Sequence, residues 1–421
     1  MSSLNTRDFK RGQRLHIIQA ALEYLIAILV GGSFLATLTK ELGFSDSLTG
    51  ILSSVISLGC LFQMLSVFFR RRHYKSFVLI LSIVNQLLFL LLYAIPLFDI
   101  PSSVKTGLFV VFIFTAYLIY NMAHPRKINW LMSLVDDRYR GLFTANKEIV
   151  SLITGMIFTY VMGSVVDHFS AHNNLRTSFI ISGIVIFVLM LLHTVIMLLT
   201  PEPDIPDTPK KSVFQSIREL AGNPNIIHVT AIFVLYYIST YVATPFYSTY
   251  LIGELGFNLK LISIFGIISS ITRILVSRFW GAYADKTSFT IMIQKCLMIL
   301  GIGYCLMILA TPATGHLMYL LYCLFHGAAL GGINSALINL IYDYVAIEKR
   351  ADSLAVCQAA SGLSGFLATL AASTLVSYIQ NSGNHFLGIP LYAQQLVSLI
   401  SALVVFGAIL YIKLIILKRN Q

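Results

Sequence analysis

The chain has 421 residues, of which 57% are hydrophobic and only 11% charged, and it carries a formal net charge of +11 with a mean hydropathy of +0.80. A soluble protein carries about a quarter charged residues, so this composition excludes a water-coated globule. The surplus bases sit in short segments between apolar runs, which is membrane topology rather than a nucleic-acid surface.

Apolar runs of about 20 residues recur along the whole chain, each long enough to cross the hydrocarbon core. They are continuous rather than alternating, which selects helices over a closed barrel. The first run follows a polar N-terminus, MSSLNTRDFKRGQR. It is longer than a signal-peptide core and lacks a small-residue cleavage site, so it is expected to remain as a helix. In chain order the predicted spans are 15–38, 47–69, 76–97, 104–124, 142–166, 177–199, 226–251, 258–282, 289–310, 315–341, 352–379 and 388–416. The expected fold is therefore an all-α membrane protein of twelve transmembrane helices in two pseudo-symmetric six-helix bundles.

Lysine and arginine set the orientation. With the N-terminus inside, the cytoplasmic segments hold 21 of these bases, in clusters such as Arg70–Arg72, Arg126–Lys127 and Lys210–Lys211, whereas the outer loops hold Lys40, Lys105, Arg176 and Lys260. That bias puts both termini in the cytoplasm of a cell (inner) membrane protein. Between spans six and seven, residues 201–225 begin with four prolines in nine residues and continue with Val213, Phe214, Ile217 and Leu220 on one helical face. A stiff linker followed by an interfacial amphipathic stretch is the expected reading. The domains are then 1–200, a cytoplasmic linker at 201–225, and 226–421.

An internal repeat supports that division. The tetrapeptide ELGF occurs at Glu41–Phe44 and at Glu254–Phe257, an offset of 213 at which Phe34 also faces Tyr247 and Ser57 faces Ser270. Further on the offset is 210, where Asn129 faces Asn339, Arg140 faces Arg350 and Gly155 faces Gly365. Parallel repeats of this kind place a binding site near the bilayer midplane between the halves, with access alternating as they rock.

Between spans eight and nine the chain reads SRFWGAYADKTS, Ser277–Ser288. This resembles the loop motif of the major facilitator superfamily, a glycine followed by an acid and a base, here Gly281, Asp285 and Lys286. The tail departs from the pattern, with Thr287 and Ser288 in place of further glycine and bases. The equivalent loop between spans two and three reads SVFFRRRHYKS and has Arg72 where the acid belongs. The resemblance implies a cytoplasmic gate at Gly281, Asp285 and Lys286, with Arg278 and Arg140 as basic partners. It also implies a monomer that binds a small molecule and sits in the lipid bilayer, with no cofactor, metal or nucleic acid.

Charges inside a span cost at least ~2.5–3.5 kcal/mol each, which makes them functional candidates. Glu23 is the acid well inside a span, and in the resembling family proton-coupled members often carry a carboxylate in the first span. Glu23 is thus the candidate proton carrier; a permanent packing pair is the alternative. Arg273 is the deepest base, suited to an anionic substrate or to pairing with Glu23. Lys147 and Glu148 are adjacent and point apart. In span seven Tyr237, Tyr241, Thr244 and Ser248 share one face, expected to line a cavity, and Pro245 is expected to kink or unwind the helix. Gln19 shares a face with Glu23. The substrate set is Gln19, Glu23, Tyr237, Tyr241, Thr244, Arg273, Asn334 and Gln358, with Gln63, Asn121, His124, His326 and Asn339 as further inward-facing residues. Glycines 31, 32, 327, 331, 362 and 365 are expected to allow close helix contact.

Enzyme signatures such as HExxH, GxSxG and a phosphate loop are absent from the sequence. The expectation is a secondary transporter, proton-coupled, taking up a small polar solute such as a sugar, a glycoside or an organic anion. Drug exporters of the resembling family carry a proline-containing motif in span five, which here has no proline. Export of drugs or metabolites is the alternative, and a membrane sensor or enzyme the second.

Overall fold

A computed structural model describes residues 6–63, 74–135, 140–202, 223–345 and 350–418. The linker stretch 213–220 and the basic cluster Arg70–Arg72 lie outside the described residues. The helices are α1 (Thr6–Leu29), α2 (Gly32–Glu41), α3 (Asp46–Phe62), α4 (Tyr74–Ala94), α5 (Ser102–Met132), α6 (Arg140–Ala171), α7 (Leu175–Leu199), α8 (Pro224–Gly253), α9 (Leu259–Lys286), α10 (Phe289–Ile308), α11 (Gly315–Tyr344), α12 (Arg350–Asn381) and α13 (Ala393–Tyr411). Among the described residues eleven segments are long and apolar enough to cross a membrane, α1 and α2 counting as one, and α3 is a shorter apolar helix. Helix ends carry ordinary punctuation: Asn174, Asn223 and Ser288 accept backbone N–H bonds as N-caps of α7, α8 and α10, and Pro224 opens α8.

Two compact units are distinguished. One comprises Met1–Phe44, Phe62–Lys210 and Asn258–Ser263, the other Ser45–Leu61, Lys211–Phe257 and Ile264–Gln421. Helix α3 therefore packs with the second unit, and the first turn of α9 with the first. In the first unit Phe77, Val78, Trp130, Leu131 and Met197 form a buried cluster of α4, α5 and α7. In the second, Tyr250 donates to the Ala310 carbonyl (2.6 Å) and Tyr247 bonds Ser398 (2.8 Å), so the phenols are satisfied inside an apolar interior.

Three expectations are corrected. The first span is not one helix. It breaks after Leu29, and Gly32 adopts φ +51° with no atom near the place a Cβ would take, so this glycine serves a left-handed turn and not helix contact. The freed Leu29 carbonyl accepts a bond from the Tyr93 hydroxyl (2.6 Å). Conversely, α8 runs unbroken through Pro245. The proline removes the N–H that would bond the Tyr241 carbonyl, and the Thr369 hydroxyl of α12 replaces it at 2.7 Å. The last span starts at Ala393 rather than 388, because His385–Phe386 and Ile389–Pro390 form a two-stranded hairpin around Leu387 and Gly388, both at positive φ.

Both ELGF copies turn on a left-handed glycine, Gly43 (φ +75°) and Gly256 (φ +67°). In the first, Phe44 N–H bonds the Thr39 carbonyl and Gly43 N–H that of Lys40, a Schellman closure of α2. Replacing Gly32 by alanine forces a Cβ into the left-handed region at about 1–2 kcal/mol, and a lowered melting temperature of the purified protein is the expected result; an unchanged one would refute the conformational role.

Candidate functional site

The first unit carries a buried ionic network at the level of Glu23. Helix α5 continues eight residues beyond the predicted end of its span, to Met132, and so carries Lys127 inward. Lys127 was expected in a cytoplasmic loop; it is 4% exposed and its ammonium bonds both carboxylate oxygens of Glu23. Glu23 therefore has Lys127 as an ion-pair partner. The Lys127 ammonium also lies 5.3 Å from the Tyr120 ring centroid. The pair is unequal: the Glu23 side chain is 22% exposed, the Lys127 side chain 5%.

Amides and an imidazole extend the pair. Gln19, buried one turn before Glu23, donates to Glu23 Oε2 (2.8 Å) and reaches His193 Nε2 of α7 (2.9 Å). The amide of Gln86 on α4 lies 3.1 Å from His193 Nδ1. A neutral imidazole has one N–H and one lone pair, so only one of the two amides can donate to it. The atom placed there is Gln86 Nε2, while Gln86 Oε1 has no hydrogen-bond partner; turning the amide over, which exchanges its oxygen and nitrogen, makes Oε1 the acceptor of Nδ1–H. The chain then runs in one sense, from His193 Nδ1–H to Gln86, and from Gln19 N–H groups to His193 Nε2 and to Glu23. His16, His124 and Lys147 stand within electrostatic reach of the pair, and Nδ1 of His16 and of His124 is buried without a bond. Gln63 bonds Asn121 (3.0 Å) beside this group.

Sequence reasoning found Glu23 and Gln19 but missed Lys127, His193, Gln86 and His16. A signal for Lys127 was present: His124 is followed at helical spacing by Lys127 and then by apolar Trp130 and Leu131, so the inward face does not end at Pro125.

In the second unit Tyr237 and Tyr241 stack on α8, centroids 5.7 Å apart and planes at 20°. Tyr237, Tyr241, Thr244 and Ser248 are each half-buried amid buried neighbours, and Tyr241 packs on Gly365 of α12. The Thr244 hydroxyl donates to the Thr240 carbonyl of its own helix (2.9 Å). Arg273, half-buried on α9, interacts electrostatically with Tyr236 and with His326 of α11, and His326 stacks on Tyr322 at 5.1 Å. Gln358 is half-buried on α12, whereas Asn334 of α11 is exposed and Asn339 turns back to the Ser335 carbonyl.

Of the gate residues, Lys286 ends α9, where a cation complements the helix dipole, and Arg278 is exposed. Gly281 has open space at its Cβ position. The side chains of Arg140 and Asp285 lie outside the described residues. The departure at Thr287–Ser288 has a physical reason: Ser288 is the N-cap of α10 (Ser288 Oγ to Ile291 N, 3.2 Å).

No curated protein sequence matches the chain. Solved structures do. A mutant of the nucleoside transporter NupG aligns with TM-score 0.71 and 15% identity, covering 95% of this chain and 99% of that one. The POT family transporter PepTSo aligns with TM-score 0.70 and 11% identity over 98% of each chain. The D-xylose-proton symporter aligns with TM-score 0.65 and 14% identity, covering 94% and 96%. At such identities the likeness establishes the fold. The family model of the Major Facilitator Superfamily matches residues 17–369, which is most of the chain. With the apolar helices and the repeated ELGF turns, that match makes the chain a member of the major facilitator superfamily, a secondary transporter of the membrane rather than an enzyme.

Proposed function

We propose that the protein takes up a small polar solute, a sugar, glycoside or organic anion, across the cell membrane by alternating access, with both termini cytoplasmic and with Glu23 carrying a coupled proton. The observation that supports this reading is the unequal Glu23–Lys127 pair. A proton arriving from water meets the carboxylate, which is partly exposed, and not the ammonium, which is sealed. Protonation neutralises Glu23 and frees one Lys127 N–H for another acceptor, while Gln19, itself held by His193, keeps the carboxyl in place. A charge change of this kind inside a low-dielectric interior shifts a conformational equilibrium strongly.

The half-buried stripe of α8 supplies the solute contacts in this reading. The stacked rings of Tyr237 and Tyr241 offer flat faces to a sugar ring, Thr244 and Gln358 offer hydrogen bonds, and Arg273 offers a cation to a carboxylate. Asn334, exposed on α11, is a further hydrogen-bonding candidate in this reading.

Glu23→Gln keeps the shape and the Gln19 contact but cannot release a proton. The expected result in proteoliposomes is retained exchange of solute with loss of accumulation driven by a pH gradient. Normal pH-driven accumulation in that variant would remove Glu23 from the coupling step. A screen of sugars, organic acids, nucleosides and cationic dyes under an imposed gradient identifies the solute class.

A further inference from the structure

The end of α6 carries two histidines that the transport reading does not use. The chain there reads HFSAHNN, His168–Asn174, and that spacing sets His168 and His172 one turn apart on one helical face. The helix closes on a defined motif. Asn173 is left-handed (φ +52°), Asn174 N–H bonds the Phe169 carbonyl (2.9 Å) and Asn173 N–H bonds that of Ser170 (3.0 Å), a Schellman closure. His172 is the C-cap residue of this closure, so its backbone is held in place relative to His168.

The closure also fixes the chemistry of one ring. A helix end leaves its last carbonyls without intrahelical donors. His172 N–H turns to the Phe169 carbonyl (3.2 Å), and the His168 carbonyl lies 2.7 Å from Nδ1 of the His172 ring. A carbonyl only accepts, so Nδ1 carries the proton and Nε2 of the neutral ring presents a lone pair. One ring N–H held by a carbonyl and the other nitrogen bare is the arrangement that orients metal-ligating histidines. The His168 and His172 ring centroids lie 4.6 Å apart with planes at 46°, and both residues are exposed. With metal–nitrogen bonds of ~2.0–2.1 Å, two imidazoles that share one ion at right to tetrahedral angles have centres about 4.5–5.3 Å apart. The observed separation falls inside that range.

We propose that His168 and His172 form a binding site for a divalent transition-metal ion of the Zn²⁺ and Cu²⁺ class, on the outer side of the protein in the proposed topology. Imidazole nitrogens select such ions over Mg²⁺ and Ca²⁺, which take oxygen ligands. Asp167, the preceding residue, is engaged elsewhere: its two oxygens accept from Leu259 N–H (3.0 Å) and Lys260 N–H (2.7 Å). Among the described residues no group of three or more His, Cys, Asp and Glu gathers to hold a metal, so water completes the coordination. Structural zinc sites close with four protein ligands; an ion on two imidazoles is instead an exchangeable ligand, whose occupancy follows the metal content of the outer medium. The ordinary role of a histidine at a helix end is to complement the dipole and the last carbonyls, and a cap of that kind responds to no metal. The inference rests on neither the solute nor the proton, so its test is read without substrate.

The test uses the full-length purified protein, freed of any histidine tag, at a pH of about 8, where ordinary imidazoles are neutral and free to bind. Zn²⁺ and Cu²⁺ are titrated in turn while the melting temperature is followed, and the Cu²⁺ complex is examined by electron paramagnetic resonance. The expected results are a saturable rise in melting temperature that EDTA reverses and nitrogen splittings from two imidazoles in the Cu²⁺ spectrum. H168A and H172A each weaken binding at least tenfold, no less than a change in a metal's outer shell costs. Each variant is compared with metal and in EDTA, so that a lost helix cap, which lowers the melting temperature in both, is not counted. H385A is the control: His385 is also exposed and its Nδ1 also meets a carbonyl, that of Gly383 (2.9 Å), but among the described residues no second histidine ring packs on it. Parent affinity in the H168A/H172A double variant would overturn the proposal, and so would an equal loss in H385A or a Cu²⁺ spectrum with a single imidazole.

Discussion

Lys127→Met removes pH-driven accumulation and destabilises the protein by about 3–5 kcal/mol, the usual consequence of leaving one member of a buried ion pair without its counter-charge. The methionine fills the lysine volume, so the loss is electrostatic and not a cavity. Among the described contacts the carboxylate of Glu23 then keeps the Gln19 N–H, too little to compensate a buried anion. Combining Lys127→Met with Glu23→Gln removes both charges, and the double variant is expected to recover most of the thermal stability and none of the coupling. That contrast separates a coupling pair from a packing pair, since a packing pair would recover both. A single variant with the parent's melting temperature and accumulation would refute the assignment.

Gly327→Leu is the second large effect. A Cβ on Gly327 of α11 would lie 2.3 Å from the Ser269 carbonyl oxygen of α9, and one on Gly331 would lie 3.0 Å from the Arg273 carbonyl. These are backbone atoms, which cannot turn aside as a side-chain tip can. Even alanine, favoured over glycine in a helix by about 1 kcal/mol, meets this contact, and leucine forces α9 outward at a cost of about 1–3 kcal/mol or more. Because Arg273 is carried on the same stretch of α9, solute affinity is expected to fall together with thermal stability. Gly266→Leu, on the same helix and with an open Cβ position, is the matched control. Affinity unchanged in Gly327→Leu would show that α9 does not depend on this crossing.

The parts legible in the sequence were those governed by short-range rules. The thickness of the hydrocarbon fixes a run of about 20 apolar residues, so the spans were visible, and the GxxxG spacing at Gly327 and Gly331 announced a close helix contact. The candidate site was half legible. Glu23 stood out because an acid among apolar residues needs a reason, and Gln19 because it lies one turn away. Lys127 did not, because a span judged by hydropathy ends at its first charges, Arg126 and Lys127, although the helix continues. His193 looked like one histidine among ten; its bond to Gln19 spans 174 residues, a distance no local pattern encodes. Gly32 and Pro245 were misread in opposite directions, since what decides a helix's continuity is whether a neighbour supplies the missing hydrogen bond.

Those two residues stand 213 positions apart, at the offset of the ELGF copies. At one height in the first helix of each half the backbone hydrogen bonding fails, through a left-handed glycine in one copy and a proline in the other. In each a hydroxyl from an adjacent helix takes up the loose carbonyl, Tyr93 for Leu29 and Thr369 for Tyr241. The donors come from helices that are not counterparts, so the two halves differ both in the breaking residue and in its remedy. What the two copies share is the location of a soft spot; the amino acid that makes it and the group that mends it differ.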